Sequence, residues 1–137
     1  DRANSKDVME DVQVPNTPAL YDDPAMRNLL HYFLHDMKEH TGVGLSPTYS
    51  YLRVYKNGDV LHKHTDRKAC EYSVSLTLKR ELDDEIWPLY LQTDKTYAVS
   101  LEEGDGLIYK GIENPHWRKS FKGERLAQVF LHYVRRH

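Results

Sequence analysis

The sequence predicts a single, mainly β domain with an N-terminal helix, whose strands close into a jelly roll. The chain has 137 residues, which is enough for one hydrophobic core and too few for two ordinary domains. Several short strand patterns follow one helical pattern, and no further helical pattern separates them. Because parallel strands need crossover helices, this order favours antiparallel strands that close on themselves. We therefore treat residues 1–137 as one domain.

The N-terminal part is predicted to contain an irregular arm followed by one helix. Residues 1–19 are polar and show no sustained period, which is typical of an arm. A helix is predicted over residues 22–40, since Asp22 or Asp23 can cap it and Pro24 suits its first turn. Its apolar side chains recur at helical spacing: Met26, Leu29, Leu30, Phe33 and Met37.

The predicted β core covers residues 48–134. Its strand patterns are rich in aromatic and β-branched residues, and polar or glycine-containing turns separate them. They cover residues 49–55, 71–78, 87–92, 96–101, 106–110 and 125–134.

Composition excludes several classes of function. A net charge of −2 gives no strong basic field, so nucleic acid is not the expected partner. No apolar run of about eighteen residues is present, so we expect no membrane span. A single cysteine, Cys70, cannot form an internal disulfide, and no leader pattern opens the sequence. These features predict a cytoplasmic protein.

Metal-competent side chains are densest at residues 62–66. Alternate residues of an extended chain point the same way, so His64 and Asp66 can face one ion. His116, which follows the predicted strand 106–110, can supply a third ligand. Two imidazoles and one carboxylate leave the other positions of an ion open, as in non-haem Fe(II) oxygenases. By itself a His-x-Asp pair is a weak signal, and a solvated strand end is the simpler interpretation.

Other histidines and the cysteine are expected to have structural roles. His62 is an alternative metal ligand if the strand register shifts by two residues. His31 and His35 lie opposite the apolar stripe of the predicted helix, which favours a solvated face. His132 is expected to be a packing or surface residue, and Cys70 a buried thiol.

Arg125 opens the last predicted strand on a mostly apolar face. Alternation places it on the same side as Ala127, Val129, Leu131 and Tyr133. A guanidinium that enters an apolar interior needs an anionic partner, because an unpaired buried charge is costly. The sequence leaves two partners open: a dicarboxylate cosubstrate, or an acidic side chain of a neighbouring strand.

Taken in order, these residues resemble a known family. The set His64-x-Asp66, His116 and Arg125 is similar to that of the Fe(II)- and 2-oxoglutarate-dependent oxygenases, nearest to their prolyl 4-hydroxylase-like branch. The strand and glycine turn upstream also resemble that branch, with Tyr55 nine residues before His64. The resemblance covers about residues 48–134. It implies a double-stranded β-helix, which is a cupin-like jelly roll.

The resemblance also implies a cofactor and its ligands. The two histidines and the carboxylate, His64, Asp66 and His116, would hold Fe(II), and 2-oxoglutarate would chelate that iron. Arg125 would pair with the far carboxylate of 2-oxoglutarate, assisted by the Tyr55 hydroxyl. O₂ would be the oxidant, and no catalytic side chain is implied beyond the metal ligands. An intact carboxylate at Asp66 favours hydroxylation, with succinate and CO₂ as co-products.

Two further residues are candidates for the surroundings of the site. Arg67 follows Asp66 directly and could brace that carboxylate or bind an anionic substrate. Trp117 follows His116 and could line a substrate pocket, although a place in the core is the simpler expectation.

The sequence says less about the substrate and partners than about the metal ligands. The branch resembled implies a peptidyl proline or another protein side chain, and the wider family also allows small molecules. The segment 87–90 lacks the glycine-rich stretch of collagen-modifying members, which argues against a collagen-like substrate. The alternatives to an enzyme are a catalytically silent metal-binding jelly roll and an interaction domain in which the metal ligands are incidental. The sequence does not define the oligomeric state.

Overall fold

The computed structural model describes residues 8–10, 18–81 and 87–136, which contain ten strands and two helices. In chain order the elements are β1 Val8–Glu10, β2 Pro18–Tyr21, α1 Pro24–Tyr32, α2 Leu34–Thr41, β3 Leu45–Lys56, β4 Leu61–His64, a 3-10 turn Lys68–Cys70, β5 Tyr72–Glu81, β6 Leu89–Gln92, β7 Thr96–Val99, β8 Gly106–Tyr109, β9 His116–Arg118 and β10 Arg125–Arg135. No helix in these ranges is long and apolar enough to span a membrane.

The strands form two antiparallel sheets that pack face to face. The larger sheet has six strands in the order β1-β2-β3-β10-β5-β8, and the smaller has four in the order β4-β9-β6-β7. Sequence neighbours such as β3 and β4 lie in different sheets, so the chain crosses repeatedly between the two layers. This arrangement confirms the predicted mainly β jelly roll.

The N-terminal arm contains regular structure that the sequence pattern does not predict. β1 pairs with β2, and β2 pairs with β3, so both short strands extend the larger sheet. Three or four residues are too few to show a period, and pairing with the neighbouring strand satisfies backbone groups of each short strand. The other residues of the predicted arm, 1–7 and 11–17, lie outside the described ranges.

The predicted single helix is divided in two at Phe33. Asp23 caps α1, since its Oδ2 accepts from the backbone N–H groups of Ala25 at 3.0 Å and Met26 at 3.2 Å. Phe33 has φ −88° and ψ 0°, which ends the first helix and begins the second. Gly42, with φ 72°, ends α2 in the left-handed conformation that glycine adopts without strain.

Both helices cover the outer face of the larger sheet. Leu30 and Met37 pack there against Val129, Leu131 and Tyr133 of β10, and all five side chains are buried. The Tyr133 hydroxyl donates to the backbone carbonyl of Leu30 at 2.6 Å. This bond joins the last turn of α1 to the central strand of the sheet.

A second core lies between the two sheets. Its apolar members come from both layers and from the loop before β10: Tyr55, Leu61, Leu89, Phe121 and Leu126. Buried polar side chains share this interior, including Arg53, Arg118 and Gln128. Because Leu126 and Gln128 point inward, the alternate residues of β10 face the helices.

We predict that Tyr133→Phe lowers the free energy of unfolding by about 1–3 kcal/mol. The substitution removes a buried hydrogen bond and leaves the Leu30 carbonyl without the hydroxyl donor. Urea denaturation measures this change. Tyr32→Phe is the matched control, since Tyr32 is 73% exposed, and it should change the free energy by less than about 0.5 kcal/mol. Equal effects of the two substitutions would contradict the assigned role of the Tyr133 hydroxyl.

Candidate metal centre and a buried arginine

Three predicted ligands converge at one end of the smaller sheet. His64 ends β4, His116 begins β9, and these two residues are directly paired across the strands. Asp66 lies two residues beyond β4, and its Oδ1 is 3.3 Å from Nε2 of each histidine. One donor atom from each residue lies within 4.8 Å of the others. The structure therefore brings together the predicted set of His64, Asp66 and His116.

These distances fit three ligands on one face of an octahedral ion. Donor atoms about 2.1 Å from an ion and at right angles to each other are about 3.0 Å apart. The observed Oδ1 to Nε2 separations of 3.3 Å need only a small adjustment to reach that geometry. Such an ion would keep its opposite face open for other ligands.

Hydrogen bonds orient both imidazole rings for metal binding. Nδ1 of His64 is 2.7 Å from the His62 carbonyl oxygen, and Nδ1 of His116 is 2.8 Å from the Asn114 carbonyl oxygen. A carbonyl can only accept, so each Nδ1 carries a proton, and each Nε2 is the nitrogen that would bind a metal once it has no proton. His62, the alternative ligand, has an exposed side chain and contributes its backbone instead.

The site is electrostatically prepared for a cation. Burial raises the pKa of Asp66, but hydrogen bonds with His116 and His64 outweigh burial and hold the pKa well below its usual range. For His64, burial lowers the pKa, whereas Asp66 and the His62 carbonyl raise it, and the net shift is upward. The centre therefore offers an ionised carboxylate between two imidazoles.

Gly111 fixes the position of the carboxylate. Its carbonyl accepts from the Asp66 backbone N–H at 2.8 Å. A Cβ at this glycine would clash with Asp66 Oδ2 and with the Cys70 carbonyl oxygen. The glycine is thus required by a close approach, since only hydrogen fits between the two backbone segments.

A second feature of the interior is an arginine without a counter-charge. Arg118 follows His116 by two residues on β9 and is 2% exposed. Its Nη1 donates to the Trp87 carbonyl at 2.9 Å, but Nε and Nη2 are buried without a hydrogen-bond partner. Within the described ranges no carboxylate forms an ion pair with it, and burial lowers its pKa. A buried guanidinium with two free donors is suited to bind an anion.

Tyr55 lies beside this arginine. Its ring is fully buried, and the guanidinium carbon of Arg118 is 5.7 Å from the ring centre. Its hydroxyl accepts from Nη1 of Arg53 at 2.8 Å, and Arg53 is 3% exposed. Trp87 packs edge-to-face on the same ring at 4.8 Å. Two buried arginines and a tyrosine hydroxyl thus meet between the sheets.

Arg125 lies outside this group, and the expectation that its side chain is buried is wrong. Its side chain is exposed at the first position of β10, where its backbone neighbours are Lys56 and Glu81. The alternation argument correctly groups Arg125 with the apolar residues Val129 and Leu131, but that face packs against the helices. The opposite face, which begins at the next residue, enters the space between the sheets.

Two further predicted neighbours of the site also lie elsewhere. The Arg67 side chain is exposed, and its Nη2 donates to the Tyr49 hydroxyl at 2.8 Å, with no hydrogen bond to Asp66 in the described chain. Trp117 lies between the two buried residues of β9, His116 and Arg118, so its side chain lies on the outer face of the smaller sheet. It stacks there on Tyr90 with ring centres 5.6 Å apart, and the Lys63 ammonium lies 4.6 Å from the Trp117 ring centre. Trp117 therefore does not wall the interior.

The sequence pattern does not predict that the side chains of His132 and Arg118 lie in the interior near the candidate site. His132 is 5% exposed and lies with Cys70 next to Asp66, because its face of β10 is the inner one. Cys70 is buried, as expected. For Arg118 the sequence does contain a signal: it lies two residues after His116, and this spacing places both side chains on one face of a strand.

Solved structures with the same fold include several 2-oxoglutarate-dependent oxygenases. A prolyl-4-hydroxylase from Pseudomonas putida has a TM-score of 0.74 at 18% identity, covering 99% of this chain and 82% of its own. The non-haem α-ketoglutarate-dependent epimerase SnoN from nogalamycin biosynthesis has a TM-score of 0.74 at 11% identity, covering 97% and 66%. A 2OG-Fe(II) oxygenase family oxidoreductase from Burkholderia pseudomallei has a TM-score of 0.69 at 13% identity, covering 95% and 66%.

These likenesses show that the chain shares the jelly-roll fold of 2OG-Fe(II) oxygenases, prolyl hydroxylases among them. No protein-family model matches the sequence, and no curated protein does either. One fold supports different activities, so the site residues and not the fold indicate the function.

We predict that Gly111→Ala weakens the binding of divalent iron about ten- to a hundredfold, because the new methyl group displaces the Asp66 carboxylate. Isothermal titration of the anaerobic apoprotein with Fe(II) measures the change. Gly44→Ala is the control, since a Cβ at Gly44 meets no atom within 4 Å and the backbone there is not left-handed. Unchanged iron affinity in a folded Gly111→Ala protein would contradict this role.

Proposed function

We propose that the protein is a non-haem Fe(II)- and 2-oxoglutarate-dependent oxygenase that hydroxylates a substrate still to be identified. One observation carries the proposal. Asp66 Oδ1 and the Nε2 atoms of His64 and His116 lie close enough together to bind one ion from the same side. Bound there, iron would activate O₂ while 2-oxoglutarate is converted to succinate and CO₂.

The protein's own groups would hold the metal in a defined orientation. Each imidazole is fixed by a hydrogen bond from Nδ1 to a backbone carbonyl two residues earlier. Asp66 would offer Oδ1 to the metal, since Oδ1 is 3.3 Å from both histidine Nε2 atoms and Oδ2 lies against Gly111. A monodentate carboxylate and two histidines leave three positions of an octahedral ion for the cosubstrate and O₂.

We assign the far carboxylate of 2-oxoglutarate to Arg118 instead of Arg125. The side chains of residues two apart on a strand lie about 6.6 Å apart on the same face. A five-carbon dicarboxylate that chelates an ion beside His116 can therefore extend toward the Arg118 guanidinium. Its carboxylate would satisfy Nε and Nη2, which otherwise lack partners, and would neutralise a buried charge.

Tyr55 and Arg53 would complete the anion pocket. The Tyr55 hydroxyl accepts from Arg53, so its own proton is available for donation to a carboxylate oxygen. The edge-to-face contact of Trp87 holds the Tyr55 ring in place. The role expected for Tyr55 from the family resemblance is therefore retained in the proposal.

The proposed substrate is a protein side chain such as a peptidyl proline, or a small molecule that reaches the open face of the iron. The solved prolyl-4-hydroxylase from Pseudomonas putida shares the fold, which makes a prolyl peptide the first class to test. The proposed compartment is the cytoplasm, on the basis of the single cysteine and its free thiol.

An anaerobic titration of the Fe(II)-loaded protein with 2-oxoglutarate tests the proposal. We expect the visible charge-transfer absorption of a keto acid chelated to iron, and we expect Asp66→Ala to abolish it. We also expect Arg118→Met to weaken 2-oxoglutarate binding about thirtyfold or more, because the far carboxylate loses its charged partner.

Arg125→Met is the matched control, because it removes the same charge from an exposed position. It should leave the affinity for 2-oxoglutarate nearly unchanged. The opposite result, with Arg125→Met more damaging than Arg118→Met, would refute the anchor assigned here. Iron-loaded protein that binds no 2-oxoglutarate by absorption or calorimetry would instead identify a catalytically silent metal-binding jelly roll.

A further inference from the structure

A second set of donor atoms lies on the inner side of Asp66. One donor atom each from Asp66, Cys70 and His132 lies within 4.8 Å of the other two. Cys70 is 2% exposed and His132 is 5% exposed, so this set is more deeply buried than the first one. Neither of these two residues has a role in the oxygenase proposed above.

The two oxygens of the Asp66 carboxylate have different surroundings. Oδ1 is 3.3 Å from each histidine Nε2, whereas Oδ2 is buried and has no hydrogen-bond partner. A methyl group on Gly111 would clash with Oδ2, so Oδ2 lies against this glycine. An unpartnered carboxylate oxygen in the interior is costly, and a cation would satisfy it.

The neighbours of Cys70 favour a metal-bound thiolate. Its Sγ is 3.2 Å from the Tyr49 hydroxyl, and that hydroxyl oxygen accepts from Arg67 Nη2 at 2.8 Å. The Tyr49 proton can therefore be donated to sulfur, which stabilises a negative charge there. A bound cation would displace the thiol proton and leave a thiolate as its ligand.

Ser73 orients the His132 ring in the same set. The Ser73 hydroxyl donates to the Cys70 carbonyl at 3.3 Å, and its oxygen is 2.7 Å from Nδ1 of His132. The serine has one proton, so Nδ1 of His132 donates to the serine oxygen and Nε2 is the nitrogen left for a cation.

We infer that Asp66, Cys70 and His132 form a second cation site, for a thiophilic divalent cation of the Zn²⁺ class. A donor set of one sulfur, one imidazole nitrogen and one carboxylate oxygen is typical of zinc, while magnesium and calcium require oxygen ligands. This inference does not depend on the proposed oxygenase activity. Asp66 would be a ligand of both cations if both sites were occupied.

Titration of the anaerobic apoprotein with Co²⁺ tests this inference. Thiolate coordination gives cobalt an intense near-ultraviolet charge-transfer band, and the chain has one cysteine, so the band reports Cys70 alone. We expect the band in the wild-type protein and in His64→Ala, which disables only the first site. We expect no band in Cys70→Ser, and at least about tenfold weaker Co²⁺ binding at this site in His132→Phe.

A measurement on unmodified protein avoids any dependence on the folding of a buried variant. X-ray absorption at the zinc edge should show a sulfur neighbour at about 2.3 Å in wild-type protein loaded with excess Zn²⁺. The inference is overturned if cobalt-saturated wild type lacks the band and zinc has only nitrogen and oxygen neighbours. It is equally overturned if His64→Ala abolishes the band, since sulfur would then belong to an ion at the first site. The binding of 2-oxoglutarate to the iron-loaded protein is a separate readout, so failure of one proposal does not imply failure of the other.

Discussion

The pleat of β10 is the constraint on which the rest of the structure depends. This strand is covered on both faces, by α1 and α2 on one side and by the smaller sheet on the other. Its alternate residues therefore belong to two different environments, and a shift of one residue would exchange them. The observed register places Val129, Leu131 and Tyr133 against the helices and leaves Gln128 and His132 in the interior that contains the candidate site.

That interior is unusually polar for a space between two sheets, and its charges are spatially separated. The metal ligands supply the ionised Asp66 at one end, and Arg118 and Arg53 supply two guanidinium groups near Tyr55. Neutralisation of Arg118 by Asp66 would leave no negative charge for a metal, and no ion pair joins these two residues in the described ranges. In the proposed function a chelated dicarboxylate would join the two ends, so that the cation and the anion would support each other's binding.

The fold and half of the site follow from local sequence signals, whereas the rest depends on tertiary structure. Period-two patterns and turn residues predict most of the strands, and the His64-x-Asp66 spacing with His116 predicts the metal ligands. The strands β4 and β9 are too short to show a period, although they hold both histidines. Alternation predicts a buried Arg125 wrongly, because it shows which residues share a face but not which layer covers that face. The chain has two apolar layers, and only packing distinguishes the helix layer from the sheet layer.

The two oxygens of Asp66 connect the structural and chemical arguments. In a mononuclear centre a carboxylate that rotates can bind through both oxygens and occupy a position needed by a cosubstrate. Here Gly111 would restrict that rotation, since Oδ2 lies against this glycine while Oδ1 faces the histidines. The same carboxylate also lies within 4.8 Å of donor atoms of Cys70 and His132. The absence of a Cβ at residue 111 is thus one steric requirement that both proposed sites share, because both use the Asp66 carboxylate.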